Sequence, residues 1–495
     1  MTYNNSCSCY GDDAPIAAIA TIAGNSALTL IRCSGKGSLE AVSSVFTANL
    51  KTAPDMQKKN TLKNAPGNTV IHGWIAKSGG HGKNAEIIDE VLVSVFRSPK
   101  SYTGEDSLDI CCHGGSCVGT AVMAALKTAG FRGALAGEFT FRAFMNGKID
   151  LTKSESVMEL VCAKTEEGRR HAVSRLCGSL QTEINEIKNM LVSVLAGAEV
   201  FLDYCEDEVS TDADEIAGKL PNRGIALAAL DRLKKLSLSW QMERVYKEGI
   251  TCVIAGLPNA GKSSLFNMLL KEDRSIVTEV PGTTRDWIEA WVSIEGIPVR
   301  LVDTAGLREP SDSIEKIGIQ RSRKLLQEAD IVLYLADGGQ GLTKEDIEEL
   351  ETYNEERKRY LLLWNKCDIA RPPNPAAKHP APQLPLKDIS PICVSAKTGE
   401  GLAELCSAIS SVISKTTGLM NEPACAAVGT VRQKKLVDAA CSALEEALML
   451  TEQDAPLDII APLLRDSVNS LGEITGEVSA ADILEEMFSK FCVGK

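Results

Sequence analysis

Apolar and polar positions alternate in four different ways along the 495 residues of this chain. Residues 1–150 carry short apolar runs separated by Gly-rich turns: IAAIAT at 16–21, LTLIRC at 28–33, EVLVSVF at 90–96 and SLDICC at 107–112. Short runs of this kind predict strands of an α+β domain. Lys51 to Lys83 is polar and Gly-rich, and is expected to form loops or a divergent insertion. Residues 151–247 are almost free of proline, and apolar positions in SLQTEINEIKNMLVSVLAGAEVFL (179–202) recur at helical spacing, which predicts long helices. Residues 248–416 alternate strand-like and helix-like segments, as a parallel α/β sheet requires. Within them, the proline cluster from Arg371 to Pro391 predicts a surface loop. Residues 417–495 return to a helical pattern. Fewer than about 80 residues make a marginal core, so these helices are expected to pack against those of 151–247. The fold expected is multidomain: an α+β N-terminal domain, a discontinuous all-α helical domain, and an inserted α/β P-loop GTPase domain of the Ras-like kind.

Composition narrows the function classes. Apolar residues make up 44% and charged residues 24%, ordinary values for a globular protein. A net charge of -13 argues against a broad basic face for nucleic acid, so any RNA contact must be local or shared with a partner. No apolar run reaches the roughly 18 residues of a bilayer span; residues 14–31 come nearest, interrupted by Thr21, Asn25, Ser26 and Thr29. The residues through Asp13 carry no basic n-region, so a secretory signal is not expected and a cytoplasmic location is. The 16 cysteines are spread along the chain, several in apolar surroundings such as Cys252 and Cys393, and are expected as reduced, buried thiols. Cys111-Cys112-His113 lacks a second half-site at zinc spacing.

Candidate chemistry centres on Gly256 to Ser263, which matches G-x-x-x-x-G-K-[ST] between an apolar strand (ITCVIA) and a helix (SSLFNMLL). Glycines there let backbone amides wrap phosphates at a helix N-terminus. Lys262 adds a point charge for the β- and γ-phosphates, and the Ser263 hydroxyl can ligate Mg²⁺. Asp303-Thr304-Ala305-Gly306 ends the strand VRLVD, placing a carboxylate near the metal and the Gly306 amide near the γ-phosphate. Thr283-Thr284 lies between these motifs, where a loop can offer the metal a hydroxyl. Asn365-Lys366-Cys367-Asp368 follows the strand RYLLLW; an Asp there can accept guanine's N1–H and 2-amino hydrogens, a donor pair adenine lacks. Ser395-Ala396-Lys397 would close over the base. Four motifs in this order predict a GTP site. Many Ras-like GTPases place a glutamine directly after D-x-x-G, whereas here it is Leu307. Either hydrolysis is lost, or water positioning comes from elsewhere, with candidates in Arg308 to Glu315.

The flanking segments add a resemblance. Ser101-Tyr102-Thr103-Gly104-Glu105-Asp106, His113-Gly114-Gly115, Gly137-Glu138-Phe139, Arg142 to Lys148, Leu471 to Glu477 and the ending Phe491-Cys492-Val493-Gly494-Lys495 resemble the MnmE (TrmE) family of tRNA-modification GTPases, from about Ile16 to Lys495. The resemblance implies domains at 1–150 (tetrahydrofolate binding and dimerisation), 151–247 and 417–495 (helical), and 248–416 (GTPase). It implies a homodimer that works with the FAD-dependent partner MnmG (GidA), in a heterotetramer or larger complex. Together they would place a 5-carboxymethylaminomethyl-type group on the wobble uridine of certain tRNAs, using a 5-formyl- or methylene-tetrahydrofolate donor. It also implies that GTPase domains pair across their nucleotides, with K⁺ in place of an arginine finger.

By motif position, the resemblance assigns K⁺ to Asn259, Thr278, Val280 and Thr283, and Mg²⁺ to Ser263 and Thr284. GTP contacts extend over Asn259, Ala260, Gly261, Lys262, Ser263 and Ser264, then Thr278, Glu279, Val280, Pro281, Gly282, Thr283 and Thr284. They continue over Asp303, Thr304, Ala305 and Gly306, and over Asn365, Lys366, Asp368, Ser395, Ala396 and Lys397. Glu315 takes the water-orienting role beside Lys262, which would answer the Leu307 departure. Folate falls to Arg32, Glu105, Lys148 and Lys495; a carboxylate suits the pterin's donor edge and cations suit the glutamate tail. Asn25-Ser26-Ala27 departs from the Gly-rich loop expected before Arg32. Cys492 is read as a folate-pocket thiol rather than a prenylation site, and His113 as a turn residue or a catalytic one. The alternative function is a regulatory or ribosome-assembly GTPase that modifies nothing.

Overall fold

The computed structural model describes residues 10, 13–22, 24–48, 62–77, 86–203, 220–272, 288–303, 325–356, 358–370, 391–417, 426–478 and 481–494. The chain divides into two compact units, one of Met1–Met158, Leu180–Leu230 and Ala439–Lys495, the other of Glu159–Ser179 and Asp231–Asp438.

The first unit holds a seven-stranded sheet of β1 (Ile16–Ile19), β2 (Leu28–Ser34), β3 (Phe46–Thr47), β4 (Thr69–Ala76), β5 (Ile87–Phe96), β6 (Ser107–His113) and β7 (Arg132–Gly133). Its spatial order is β3-β4-β5-β6-β2-β1-β7, antiparallel except for β1 with β7. Period-two alternation sorts each strand between two faces. Ile31 and Cys33, Val91, Val93 and Val95, and Leu108 and Ile110 fill one face with Val122 and Leu126 of helix Ser116–Thr128. Arg32 and Ser34 on β2, and Ser107 and Asp109 on β6, belong to the opposite phase, in register as Arg32↔Asp109 and Ser34↔Ser107. A cross-strand polar set is thus built into the alternation.

β4 corrects one expectation. Residues 69–76 sit inside the stretch expected as loops, yet form an eight-residue strand paired to β5 and β3. Its apolar residues Val70, Ile71, Trp74, Ile75 and Ala76 fall in both phases around His72 and Gly73, and only Gly73, Ile75 and Ala76 are buried, so no alternation marks it. Pairing on both sides, rather than pattern, makes this segment a strand. Residues 51–61 and 78–83 of that stretch lie outside the described residues, as do 371–390 of the expected proline-rich loop.

Helices complete this unit. Helix Leu457–Thr475 ends at Gly476, whose φ of 88° is a left-handed cap. It lies against helix Ser179–Asp203 through Arg465–Glu199 at 2.6 Å, and Lys188 reaches Glu477 just beyond its end at 2.6 Å. Helix Ala481–Ser489 delivers Phe488 edge-on to Phe141, with ring centroids 5.4 Å apart. Tyr10, Leu151, Leu484 and Phe491 close that cluster, so the end of the chain is anchored to its beginning.

The second unit is built on a six-stranded sheet of β8 (Ile250–Gly256), β9 (Ile288–Ile294), β10 (Ile297–Asp303), β11 (Ile331–Asp337), β12 (Tyr360–Asn365) and β13 (Ile392–Cys393). The order is β13-β12-β11-β8-β10-β9, parallel except for the β9–β10 hairpin. β8 and β11 are near-continuous apolar runs because helices such as Lys262–Glu272 and Leu402–Thr417 are needed to cover a parallel sheet. Beside the sheet, Arg175 on helix Glu166–Leu176 is enclosed by Glu243 at 2.6 Å and Glu159 at 2.8 Å. Lys247 caps Glu159 and donates to the Gly429 carbonyl at 3.2 Å. A Cβ on Gly429 would lie 2.4 Å from the Glu159 carboxylate, so this residue must be small. Cys252 is buried as expected, whereas Cys393 is exposed, because β13 is a two-residue edge strand.

Candidate nucleotide site and a second cavity

Parallel sheets bind ligands beyond the carboxyl ends of their strands, where the order reverses. β8 is flanked by β10 on one side and β11 on the other. Its carboxyl end leads into Gly256–Ser263, while Asp303, Asp337 and Asn365 end β10, β11 and β12. Gly261 has φ 97°, and a Cβ there would lie 2.2 Å from Asn365 Nδ2, so only glycine lets the two loops touch. The Asn365 amide uses that approach: Nδ2 donates to the Ala260 carbonyl at 2.7 Å and Oδ1 accepts from the Ala396 amide at 3.0 Å. One buried side chain therefore ties the phosphate loop to both base-side loops.

Lys262 folds its ammonium onto the Gly256 and Leu257 carbonyls at 2.9 and 2.8 Å, holding positive charge at the mouth of the loop. Asn259 is exposed at φ 65°, and Ser264 is exposed on the first helical turn. The Ser263 hydroxyl donates to Asp303 Oδ2 at 2.7 Å. This pair of hard oxygen donors fits Mg²⁺. On the base side the Ser395 hydroxyl donates to Asp368 Oδ1 at 2.7 Å, fixing an exposed carboxylate. Lys366, at φ 65°, pairs with Asp337 at 2.8 Å, and Lys397 is exposed beyond Ala396. The Lys366 hydrogen bond holds the Asp337 carboxyl below the usual range, with further help from the Gly339 amide. Asp337 was absent from the sequence-derived set; its only signal was an acidic residue ending the run IVLYLAD. Thr278, Glu279, Val280, Pro281, Gly282, Thr283, Thr284, Thr304, Ala305, Gly306, Leu307 and Glu315 lie outside the described residues.

A cavity of about 180 Å³ opens in the first unit, lined by Arg32, Ser34, Phe96, Tyr102, Thr103, Ser107, Asp109 and Phe139. It occupies the sheet face opposite the apolar core. Arg32 donates to Asp109 at 3.2 Å and to the Gly494 carbonyl at 3.3 Å, and its guanidinium lies 5.8 Å from the Tyr102 ring centroid. Burial pushes the Tyr102 phenol up, against its hydrogen bond to Thr140. Aromatic walls around a guanidinium suit a flat heterocycle carrying acceptors or negative charge.

Not every folate candidate lines this cavity. Glu105 sits behind it, accepting from Ser34 at 2.8 Å and from Arg142 at 3.2 Å. Lys148 lies across the Gly104 turn and donates to the Pro99 carbonyl at 2.8 Å. Cys492 is exposed; its carbonyl accepts the Gly137 amide at 3.3 Å and Val493 bridges Ala136. Lys495 lies outside the described residues, next to Gly494. His113 is exposed and pairs with Asp89 at 2.7 Å. Residue-level reading missed the support beneath the cavity. Fully buried Glu138 accepts from Arg142 at 3.0 Å, from Arg132 at 2.8 Å and from the Leu135 amide at 2.9 Å. Burial raises the Glu138 carboxyl, but these donors outweigh it and hold it below the usual range. The i,i+4 spacing of Glu138 and Arg142 was the available signal.

Among the described residues no helix is long and apolar enough to cross a membrane. The chain matches the family model for the MnmE helical domain over residues 151–492 and that for the GTP-binding protein TrmE N-terminus over residues 15–148. It is 40% identical over 488 residues to tRNA modification GTPase MnmE of Treponema denticola, covering 97% of this chain and 98% of the relative. Proteins of the same name from Carboxydothermus hydrogenoformans and Alkaliphilus oremlandii are each 37% identical, covering 97% and 98% of this chain and 99% and 100% of the relatives. With these matches running nearly end to end through both units, the chain belongs to the MnmE family and is a GTPase.

Proposed function

We propose that this GTPase acts on tRNA, coupling GTP hydrolysis to formation of the 5-carboxymethylaminomethyl-type group at the wobble uridine with an MnmG-like, FAD-dependent partner. The observation that carries the reading is the cavity around Arg32, closed on one side by the chain's own Gly494. A switch that only binds RNA has no use for it.

In this reading Lys262 and the Gly256–Ser263 amides hold the β- and γ-phosphates, Ser263, Asp303 and Thr284 supply oxygens for Mg²⁺, and Asp368 reads guanine. Asn259, with Thr278, Val280 and Thr283, holds K⁺, and Glu315 orients the attacking water in place of a glutamine at Leu307. Arg32 binds the folate inside the cavity, and Glu105, Lys148 and Lys495 take the remaining folate-binding roles. When bound, K⁺ offsets charge developing on the phosphates, the folate supplies one carbon, and the partner's FAD supplies redox capacity. Two copies pair through their GTPase domains, and the reaction takes place in the cytoplasm.

Hydrolysis is expected to be faster in K⁺ than in Na⁺, and Glu315→Ala to abolish it while nucleotide binding persists. Mass spectrometry of wobble uridine in tRNA from a deletion strain tests the larger claim. Unchanged nucleosides there would leave only the alternative of a non-modifying GTPase.

A further inference from the structure

Two of the described cysteines meet between the loops that face the base. Parallel pairing of β12 with β13 sets Trp364 opposite Cys393. Three residues past Trp364, the Cys367 amide donates to the Val394 carbonyl at 3.3 Å and its thiol to the Trp364 carbonyl at 3.1 Å. The Val394 amide donates to that same Trp364 carbonyl at 2.7 Å. Both cysteines are thus gathered around one peptide group, with Cys393 near enough to act on the Cys367 thiol. Cys367 is 6% exposed, while Cys393 is open to solvent.

We propose that Cys367 and Cys393 form a reversible disulfide under peroxide, and that this modification weakens guanine-nucleotide binding. The roles of the two sulfurs follow from exposure. Burial, then the nearby Cys393, pushes the Cys367 thiol up to about 11, so it remains protonated and shielded from solution. Cys393 is the sulfur an oxidant reaches first. Its sulfur takes one oxygen from a hydroperoxide as the O–O bond breaks, giving a sulfenic acid and, from hydrogen peroxide, one water. The Cys367 sulfur then forms the S–S bond, and the displaced hydroxyl leaves with the Cys367 proton as a second water. Two thiols lose two electrons and the peroxide gains them. A dithiol reductant reverses the step by exchange.

The consequence is geometric. An S–S bond of about 2.05 Å is far shorter than any thiol–thiol contact, so the Cys367 sulfur must leave the Trp364 carbonyl. Asp368 is the next residue, and Ser395, which fixes its carboxylate at 2.7 Å, is two residues beyond Cys393. Drawing 367 and 393 together displaces both partners of that hydrogen bond. Loss of one charge-assisted contact to guanine corresponds to roughly a tenfold fall in affinity.

The full-length protein is treated with hydrogen peroxide, and binding of fluorescent methylanthraniloyl-GDP is followed beside peptide mass spectrometry. A linked pair of peptides containing Cys367 and Cys393 is expected, with about tenfold weaker binding that dithiothreitol restores. Cys393→Ser should bind GDP normally and keep its affinity through peroxide treatment. In Cys367→Ser, Cys393 should remain a sulfenic acid and take up dimedone. The proposal is overturned if no such link forms while other thiols oxidise, if the link forms and affinity is unchanged, or if Cys393→Ser loses affinity to the same degree as the parent.

Discussion

The nucleotide loops and the Arg32 cavity both gather groups suited to an anionic ligand, and they are assembled by opposite means. In the second unit the functional groups lie where consecutive strands of a parallel sheet end, at Gly256, Asp303, Asp337 and Asn365. Each motif is a short contiguous string, and backbone amides do much of the work. In the first unit the cavity takes side chains from β2, β5, β6, the 102–103 turn and helix Glu138–Met145. Arg32 accepts company from Gly494, 462 residues away. A site made of contiguous strings survives as a sequence pattern, while one made of dispersed side chains does not.

If the two sites are physically separate devices, single changes should divide them cleanly. The largest effect is expected from Lys262→Ala, which removes the charge held at the phosphate loop. GTP hydrolysis should fall roughly 10²–10³-fold, with tetrahydrofolate binding measured by fluorescence unchanged. A fall in both would merge the sites. Next comes Glu138→Gln, which leaves Arg132 and Arg142 facing an uncharged partner and should cost about 3 kcal/mol in denaturant unfolding at neutral pH. Because the folded carboxyl is depressed, its stabilisation is complete above the unfolded value and is lost as pH falls through the folded one. The difference between parent and variant should therefore shrink below about pH 4; a constant difference would mean packing, not charge, is at stake.

Asp368→Asn comes third. It exchanges an acceptor for a mixed amide, and GTP affinity should drop roughly tenfold to a hundredfold while xanthine nucleotides gain. Equal losses for both bases would show that Asp368 supports the loop without reading the ring. Arg32→Gln is the smallest. Folate affinity should weaken roughly tenfold with hydrolysis rates intact.

What was legible follows the same division. The strand runs at 16–21, 28–33, 90–96 and 107–112, which overlap β1, β2, β5 and β6, and the P-loop with its helix, were visible because local pattern and tertiary role agree there. β4 was not, since the apolar residues of TVIHGWIA do not alternate and the segment pairs with two neighbours. Asn365 was named as a base-side residue, but its grip on the Ala260 carbonyl, and hence the need for Gly261, depends on a contact across 105 residues. Glu138 and Arg142 entered only as parts of a family resemblance. Their role beneath Glu105 required knowing that helix Glu138–Met145 lies against β1 and the turn before β6. Cys393 looked buried because its neighbours are apolar, and the shortness of an edge strand was invisible.

Calorimetric titration of the full-length protein with GDP and with 5-formyl-tetrahydrofolate, each alone and each in the presence of the other, tests the separation of the two sites most directly. Two independent saturations at one ligand per chain are expected, with Arg32→Gln weakening only the second and Lys262→Ala only the first. Absence of any folate heat, or displacement of one ligand by the other, would contradict the account.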